Sequence, residues 1–228
     1  MKHSGKATKA ALRILFWTFV LLLAVICGAV VARFVGNVVL NYFAVLLSLW
    51  VLFAAFTLYF FRDPEAVGPL EAKTIVSPAH GTVDVVGETE EKEFMGGRCQ
   101  RISIFLSVID VHVQNAPVSG QVQFLKHTLG KFLSATKADC ADFNENVLIG
   151  FAPISYPAHK LGVRLIAGLI ARRIVPWIQT GETVQRSERI SLIQFGSRCD
   201  VYLPLGMKVQ ARLGQKVKGG ETVIATFD

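Results

Sequence analysis

The sequence predicts a mostly β domain of the α+β class, preceded by an N-terminal membrane anchor. Two long segments without a charged residue fill most of the first 61 positions, and short β-branched runs separated by glycine follow them. With 228 residues, the chain is long enough for one medium-sized domain and a smaller element. We therefore predict an anchor over residues 1–62 and a β-rich domain over residues 63–228.

The anchor is predicted to be a hairpin of two transmembrane helices. Residues 14–32 and 38–61 are uncharged over 19 and 24 positions, and as a helix each can cross about 30 Å of hydrocarbon. Only the link from Arg33 to Asn37 separates them. A cleaved signal peptide fits poorly, because a second apolar segment follows the first at once. A hairpin that enters a single leaflet remains an open alternative.

The distribution of basic residues predicts the orientation of this hairpin. Four basic residues precede the first segment and one follows the second, whereas only Arg33 lies in the link. The positive-inside rule therefore places both ends, and the whole β-rich domain, at the cytoplasmic face of the cell membrane. The flanking basic residues are Lys2, Lys6, Lys9, Arg13 and Arg62.

Charge and cysteine content narrow the range of partners. The net charge of +7 suits nucleic acid or an anionic membrane, and because the charge is diffuse we expect the membrane and no nucleic acid. The four cysteines form no C-x-x-C pair, which disfavours a zinc site and a disulfide framework. We expect reduced thiols, as is usual in the cytoplasm. The cysteines are Cys27, Cys99, Cys140 and Cys199.

The β-rich part contains two internal repeats. Residues 78–83, "PAHGTV", resemble residues 117–122, "PVSGQV", and "TGETVQRSERISLI" resembles "LGQKVKGGETVIAT". Such pairs resemble the hammerhead hairpins of lipoyl- and biotinyl-type domains, which predicts a domain of duplicated, mostly antiparallel hairpins. The stretch from Val163 to Trp177 stays ambiguous between a strand and a buried helix. Further strands are predicted in "TIVSPAHGTVDVVGE", "RISIFLSVIDVHVQ", "PVSGQVQFLKHT", "ERISLIQF" and "DVYLP".

The pair Gly196-Ser197 interrupts the strand-like segment "SLIQFGSRCDVYLP". In most proteins such a pair marks a bulge or a tight turn. In a strained turn, however, the serine hydroxyl can attack the carbonyl of the preceding glycine, which tolerates unusual backbone angles. The resulting ester can eliminate, cut the chain and leave a residue that hydrolyses to a pyruvoyl group. Two common alternatives, a glycine-rich phosphate loop and an HExxH motif, are absent from the sequence.

Three separated segments resemble the short form of phosphatidylserine decarboxylase. They are "LSVIDVHVQNAPVSG", "IAGLIARRIVPWI" and "FGSRCDVYLP", and the resemblance extends from about Tyr59 to the end of the chain. It implies a proenzyme that cuts itself between Gly196 and Ser197 into a β subunit, residues 1–196, and an α subunit, residues 197–228, which remain partners. It also implies decarboxylation of the phospholipid phosphatidylserine to phosphatidylethanolamine, through a Schiff base with the pyruvoyl group at Ser197 and without a metal.

The resemblance implies roles for two residues of the "DVHV" segment. His112 matches the family's histidine, which protonates the carbanion or holds the substrate carboxylate, and an imidazole suits proton transfer near neutral pH. A histidine satisfied within the sheet is the alternative. Asp110 lies two residues away on the same predicted strand face, where it either orients His112 or is a solvated charge.

The chain departs from the family pattern at two positions. His80, in "SPAHG", stands where the family has an aspartate, and Asn115 stands where longer relatives have a second histidine. In those relatives the aspartate belongs to a serine-histidine-aspartate set that drives self-cleavage. His80 therefore takes the Ser197 proton itself, leaves maturation slow, or is an introduced change that traps the proenzyme.

Two other classes of protein are compatible with part of the pattern. An archaetidylserine decarboxylase would act on the same headgroup, so its active-site residues would be the same. A non-enzymatic, membrane-anchored lipoyl-like domain is disfavoured, because no lysine lies at the tip of a hammerhead turn as a lipoylation site requires. The sequence leaves the oligomeric state open, including a homo-oligomer.

Overall fold

A computed structural model describes residues 6–130, 143–168, 173–194 and 197–227 of the chain. The chain divides into two compact units, Met1–Thr57 and Leu58–Asp228. The described residues of the first unit are helical, and the second unit contains the strands.

A single helix, α1 (Lys6–Phe60), stands where the helical hairpin was predicted. The link from Arg33 to Asn37 is helical as well, so the predicted hairpin is not confirmed. The physical reason is that the link contains no proline, and one glycine weakens a helix by only about 1 kcal/mol. The segment Phe16–Phe60 is long and apolar enough to cross a membrane, and most of its side chains are exposed. The helix therefore indicates membrane association.

The part of Leu58–Asp228 that the structure describes forms three antiparallel sheets, which confirms the mostly β prediction. The largest sheet has eight strands, and each of the other two has three. The strands are β1 (Thr74–Val76), β2 (Gly81–Glu91), β3 (Gly97–Leu106), β4 (Val113–Asn115), β5 (Gly120–Thr128), β6 (Asn146–Pro153), β7 (Leu161–Ala167), β8 (Arg173–Pro176), β9 (Thr183–Val184), β10 (Arg189–Gln194), β11 (Ser197–Leu203), β12 (Lys208–Val209), β13 (Lys216–Val217) and β14 (Val223–Thr226).

The eight-stranded sheet has the order β13-β2-β3-β11-β7-β6-β5-β9, so β11 lies near its middle. The smaller sheets have the orders β1-β14-β12 and β4-β10-β8. All seven residues of β11 are buried. Cys199, Val201 and Leu203 enter the main core, whereas Tyr202 packs into a second cluster on the other face. Ser197 is thus the first residue of a strand that is covered on both faces.

The two sequence repeats lie at opposite edges of the eight-stranded sheet. Strand β13 pairs with the start of β2, and strand β9 pairs with the start of β5. The amide of Val83 donates to the carbonyl of Gln215 at 2.9 Å, and the amide of Val122 donates to the carbonyl of Glu182 at 2.8 Å. The repeated patterns therefore occupy corresponding edge positions.

Two regions differ from the predicted strand pattern. Within Val163–Trp177, the described residues belong to β7 and β8, and residues 169–172 lie outside the described part. Strand β6 was not among the predicted strands, because seven of its eight residues are buried and it lacks the alternation of a strand with one solvated face.

Candidate active site

Ser197 occupies the first position of β11, between two strands that fix its backbone. It stands opposite Leu106 of β3 and Ala167 of β7. Its hydroxyl oxygen is buried and has no hydrogen-bond partner among the described residues. Leaving a buried hydroxyl unsatisfied costs about 1–3 kcal/mol, so its presence at this position needs a physical explanation. Gly196, on the other side of the predicted cleavage bond, lies outside the described residues.

These surroundings fit a pyruvoyl group at position 197. Conversion of Ser197 removes its hydroxyl, and that hydroxyl has no hydrogen bond to lose within the described chain. The backbone is paired on both sides, so the position stays in register if the bond before it is cut. Residue 197 would itself carry the group.

His112 lies just before β4 and close to the end of β10. Its carbonyl accepts a hydrogen bond from the amide of Ile193 at 3.1 Å, four residues before Ser197. The ring is buried, and its centroid lies 4.3 Å from that of Phe60. Its Nδ1 atom is 2.8 Å from the carbonyl oxygen of Asp110, which can only accept, so Nδ1 carries the proton.

Burial determines the protonation of His112. It lowers the pKa of the imidazole below the ordinary value of 6.5, and the hydrogen bond to Asp110 opposes this shift only in part. At pH 7 the ring is therefore mostly neutral. Because Nδ1 holds the proton of the neutral ring, Nε2 is the nitrogen that can exchange a proton with a substrate.

Asp110 contributes its carbonyl to His112 rather than its carboxylate. Its Oδ2 atom accepts hydrogen bonds from the amide and the hydroxyl of Ser107, at 2.8 and 2.7 Å. The Nζ atom of Lys216 lies 4.0 Å from Oδ1. Both Asp110 and His112 precede β4, so the shared strand face predicted for them is wrong. The reason is that Asp110 closes a turn at Ser107 by capping its amide.

His80 lies in the turn between β1 and β2, beside Asn115 and Gly219. A Cβ atom at Gly219 would stand 2.9 Å from both His80 Cδ2 and Asn115 Oδ1, so the two side chains converge on this glycine. The Asn115 amide nitrogen donates to the carbonyl of Ser187 at 2.8 Å. In the part of the chain that the structure describes, no hydrogen bond joins His80 to Ser197. Burial lowers the pKa of His80, and Glu221 opposes the shift in part.

An ion pair next to Ser197 was not predicted. The Arg198 guanidinium binds both carboxylate oxygens of Asp84, with Nη1 at 3.0 Å from Oδ1, and its side chain is nearly fully buried. The register of β2 against β3 shifts between Val83 and Val85, so Asp84 is the extra residue of a bulge, which redirects its side chain. A charged residue directly after the cleavage pair was the available sequence signal.

Known proteins match most of the chain. A family model described as phosphatidylserine decarboxylase matches residues 53–225. The phosphatidylserine decarboxylase proenzyme of Desulfotalea psychrophila is 42% identical over 180 residues, 79% of this chain and 83% of the relative. That of Symbiobacterium thermophilum is 44% identical over 171 residues, 75% and 79% of the two chains. That of Carboxydothermus hydrogenoformans is 40% identical over 192 residues, 82% and 89%.

Proposed function

The chain belongs to the phosphatidylserine decarboxylase family, and we propose that it converts phosphatidylserine into phosphatidylethanolamine and carbon dioxide with a pyruvoyl group at position 197. The observation that carries this proposal is the buried Ser197 hydroxyl, which has no hydrogen-bond partner within the described residues. Most buried hydroxyl groups have a hydrogen-bond partner, and conversion of Ser197 to a pyruvoyl group would account for this exception. The names of the curated relatives favour phosphatidylserine over the archaetidyl lipid.

Self-cleavage between Gly196 and Ser197 is the proposed source of the pyruvoyl group. The Ser197 Oγ atom attacks the Gly196 carbonyl carbon and displaces the Ser197 nitrogen. The new bond between Oγ and the carbonyl carbon is an ester. Elimination then releases Gly196 as a carboxylate and leaves a double bond between Cα and Cβ of residue 197. Hydrolysis of this enamine releases ammonia and leaves a ketone. Pairing of β11 with β3 and β7 supports retention of residue 197 in the sheet.

His80 is the proposed base for the first step. Thr82 of β2 and Arg198 of β11 both pair with Phe105 of β3, so His80 and Ser197 lie at the same end of the sheet. Burial keeps the pKa of His80 low, which favours the neutral form that can accept the serine proton.

His112 is the proposed proton donor in decarboxylation. The ketone of a pyruvoyl group can condense with a primary amine and withdraw electrons from the bond to a carboxylate. In this proposal, Nε2 of the neutral His112 ring takes up the proton that the substrate ammonium group loses on condensation. It then returns this proton to the substrate carbon that has lost carbon dioxide. The carbonyl of Asp110 holds Nδ1 and thereby sets the orientation of the ring.

We also propose that α1 bends at Arg33–Asn37 within a bilayer. A straight helix over the 45 residues Phe16–Phe60 would extend about 68 Å, more than twice the hydrocarbon thickness of about 30 Å. A bend would keep both apolar halves in lipid and leave the basic residues at both ends on the cytoplasmic side. Leu58–Asp228 would then face the cytoplasm. The matching edges of its main sheet support a duplication of hammerhead-like hairpins.

The proposed reaction can be tested with the purified full chain and phosphatidylserine labelled in the serine carboxyl group. The parent should release labelled carbon dioxide and form phosphatidylethanolamine, and Ser197→Ala should do neither. Archaetidylserine, assayed in parallel, tests the lipid specificity. Carbon dioxide release by Ser197→Ala at the parent rate would exclude the proposed role of position 197.

A further inference from the structure

An apolar side chain stands at the tip of the turn that precedes His112. The turn runs from Ser107 to Asp110 and is closed by the Asp110 amide, which donates to the Ser107 carbonyl at 2.9 Å, and by the Asp110 carboxylate. Ile109 is 65% exposed at its tip. One short segment therefore directs an isoleucine outward and, three residues later, holds the buried His112.

The end of the apolar span carries residues that are typical of a membrane interface. Tyr59 and Arg62 flank the last helical residue, and the guanidinium carbon of Arg62 lies 4.0 Å from the centroid of the Tyr59 ring. Tyrosine and arginine are common where a transmembrane helix leaves the hydrocarbon. This end of α1 therefore has the composition of a segment that lies at the depth of the lipid headgroups.

The turn and the end of the span are joined by direct contacts. The Nη2 atom of Arg62 donates to the carbonyl oxygen of Ile109 at 2.6 Å, and the ring of Phe60 packs on that of His112. On the other side, Lys216 is 71% exposed and lies 4.0 Å from Asp110. An exposed isoleucine between an arginine and a lysine matches a surface that is apolar at its centre and basic at its rim.

From these contacts we propose that the turn Ser107–Asp110, here called the docking turn, inserts Ile109 into the surface of the bilayer that holds α1. The inference rests on the proposed function, since docking would bring His112 to the depth of the phosphatidylserine headgroup. Continuity with the interfacial end of α1 identifies the bilayer as the occupant. Arg62 and Lys216 would lie among the lipid phosphates.

The enzyme assay compares two forms of the substrate in one preparation. The mature full chain is placed in phosphatidylcholine vesicles, and phosphatidylserine is supplied either within the vesicles or as a short-chain form that stays monomeric in water. We expect Ile109→Ser to lower the ratio of the vesicle rate to the monomer rate by about tenfold, because an apolar anchor is lost. Ile109→Trp should keep the parent ratio, since tryptophan favours the interface.

Ile154→Ser is the matched control. Ile154 is 59% exposed and directly follows β6. Phe151 of β6 pairs with Leu161 at the start of β7, whereas Ser197 pairs with Ala167 at the end of β7. Ile154 therefore lies at the end of the sheet opposite to Ser197. It should keep the parent ratio. A loss of equal size in Ile154→Ser would show that any exposed isoleucine has this effect, and it would overturn the proposal.

A fluorescent probe reports docking without enzyme activity. Ile109→Cys and Ile154→Cys are labelled separately in a chain whose Cys27 and Cys140 are replaced by serine, because Cys99 and Cys199 are buried. Lipids with brominated acyl chains should quench the probe at 109 and not the probe at 154. Quenching of the probe at 109 without any decarboxylation would contradict the proposed function but would still support docking.

Two results would overturn the docking turn itself. One is a probe at 109 that brominated lipids do not quench, together with an unchanged rate ratio in Ile109→Ser. The other is a smaller assembly of Ile109→Ser than of the parent in detergent, which would assign Ile109 to a contact with a second copy of the chain.

Discussion

Arg198 and Asp84 form a bidentate ion pair that spans strand β3 and links the bulge in β2 to the residue after Ser197. The cleavage proposed here would make residue 197 the free end of a strand. Chain ends fray unless other contacts hold them. The ion pair is therefore placed to hold the new terminus in register while it carries the reactive group.

Asp84→Asn should reduce turnover more than it reduces cleavage. The amide keeps the size of the side chain but removes the charge that Arg198 binds, so position 197 becomes less restrained. A misplacement of about 1 Å can slow an enzyme about a hundredfold, and we expect a fall in kcat of about tenfold to a hundredfold with a similar KM. Electrophoresis gives the cut fraction, and steady-state kinetics on the cut protein give kcat and KM.

Glu88→Gln is the control for Asp84→Asn. Glu88 also lies on β2 and pairs with Arg98, but both side chains are exposed, so this ion pair contributes little. Glu88→Gln should match the parent in both cleavage and turnover. Asp84→Glu, which can still bind Arg198 with two oxygens, should recover part of kcat. Equal kinetics for Asp84→Asn and Glu88→Gln would refute the positioning role.

His112→Ala should mature normally and then turn over slowly. Loss of a general acid typically slows a reaction by about 10² to 10⁴. Cleavage is followed by electrophoresis, and decarboxylation is measured on the cut protein. His127→Ala serves as the control. His127 lies on β5, where its ring contacts the Glu145 carboxylate, away from the turn that precedes His112. Parent-level turnover of a cut and folded His112→Ala protein would exclude the proton transfer.

The role of His80 can be tested through the pH dependence of cleavage. Only a neutral imidazole can accept the Ser197 proton, and burial places the pKa of His80 below 6.5. The first-order rate of chain splitting in purified precursor should therefore be flat above pH 6.5 and fall as the pH drops through the lowered pKa. His80→Ala should split slowly at every pH. His80→Asp should split faster than the parent if the fold requires a carboxylate there.

Glycine-to-alanine variants distinguish a specific effect of crowding His80 from a general effect on folding. Gly219→Ala places a methyl group 2.9 Å from His80 Cδ2, whereas Gly87→Ala adds one with nothing within 4 Å. Only Gly219→Ala should slow cleavage. Parent-like cleavage in both His80→Ala and Gly219→Ala would show that this corner has no part in maturation.

Most strands of the domain could be predicted because their patterns are local. The glycine-led repeats identified β2, β5, β9 and β13, and β-branched runs identified β3, β10 and β11. Strand β6 could not be identified in this way, since burial of both faces removes the alternation. The fate of the link in α1 was also not predictable, because residues that suit a tight turn between two spans also suit a helix.

Residues of the candidate site were predictable only where they lie within a short sequence motif. Ser197 and His112 lie in such motifs. The contact between Phe60 and His112 joins residues far apart in the chain, and no local pattern encodes it. The shift in register at Asp84 likewise depends on pairing between strands. The turn that contains Asp110 reflects one hydrogen-bonded cap at Ser107, which competes with strand formation.

The orientation of the anchor can be tested with single cysteines in intact cells. In a chain with serine at positions 27 and 140, a bend in α1 predicts that Lys6→Cys and Glu90→Cys are shielded from an impermeant thiol reagent and that Asn37→Cys is labelled. A straight membrane-crossing α1 would instead place Lys6 and Glu90 on opposite sides. Labelling of Glu90→Cys from outside would contradict a cytoplasmic domain.

Self-cleavage at Ser197 is the central claim, and intact mass spectrometry of the purified chain tests it most directly. The parent should give two chains, residues 1–196 and residues 197–228, and the smaller one should resist N-terminal sequencing because residue 197 no longer has an amine. Ser197→Ala should give one uncut chain. A parent that remains a single chain of 228 residues, or a Ser197→Ala protein that splits at the same bond, would contradict the account.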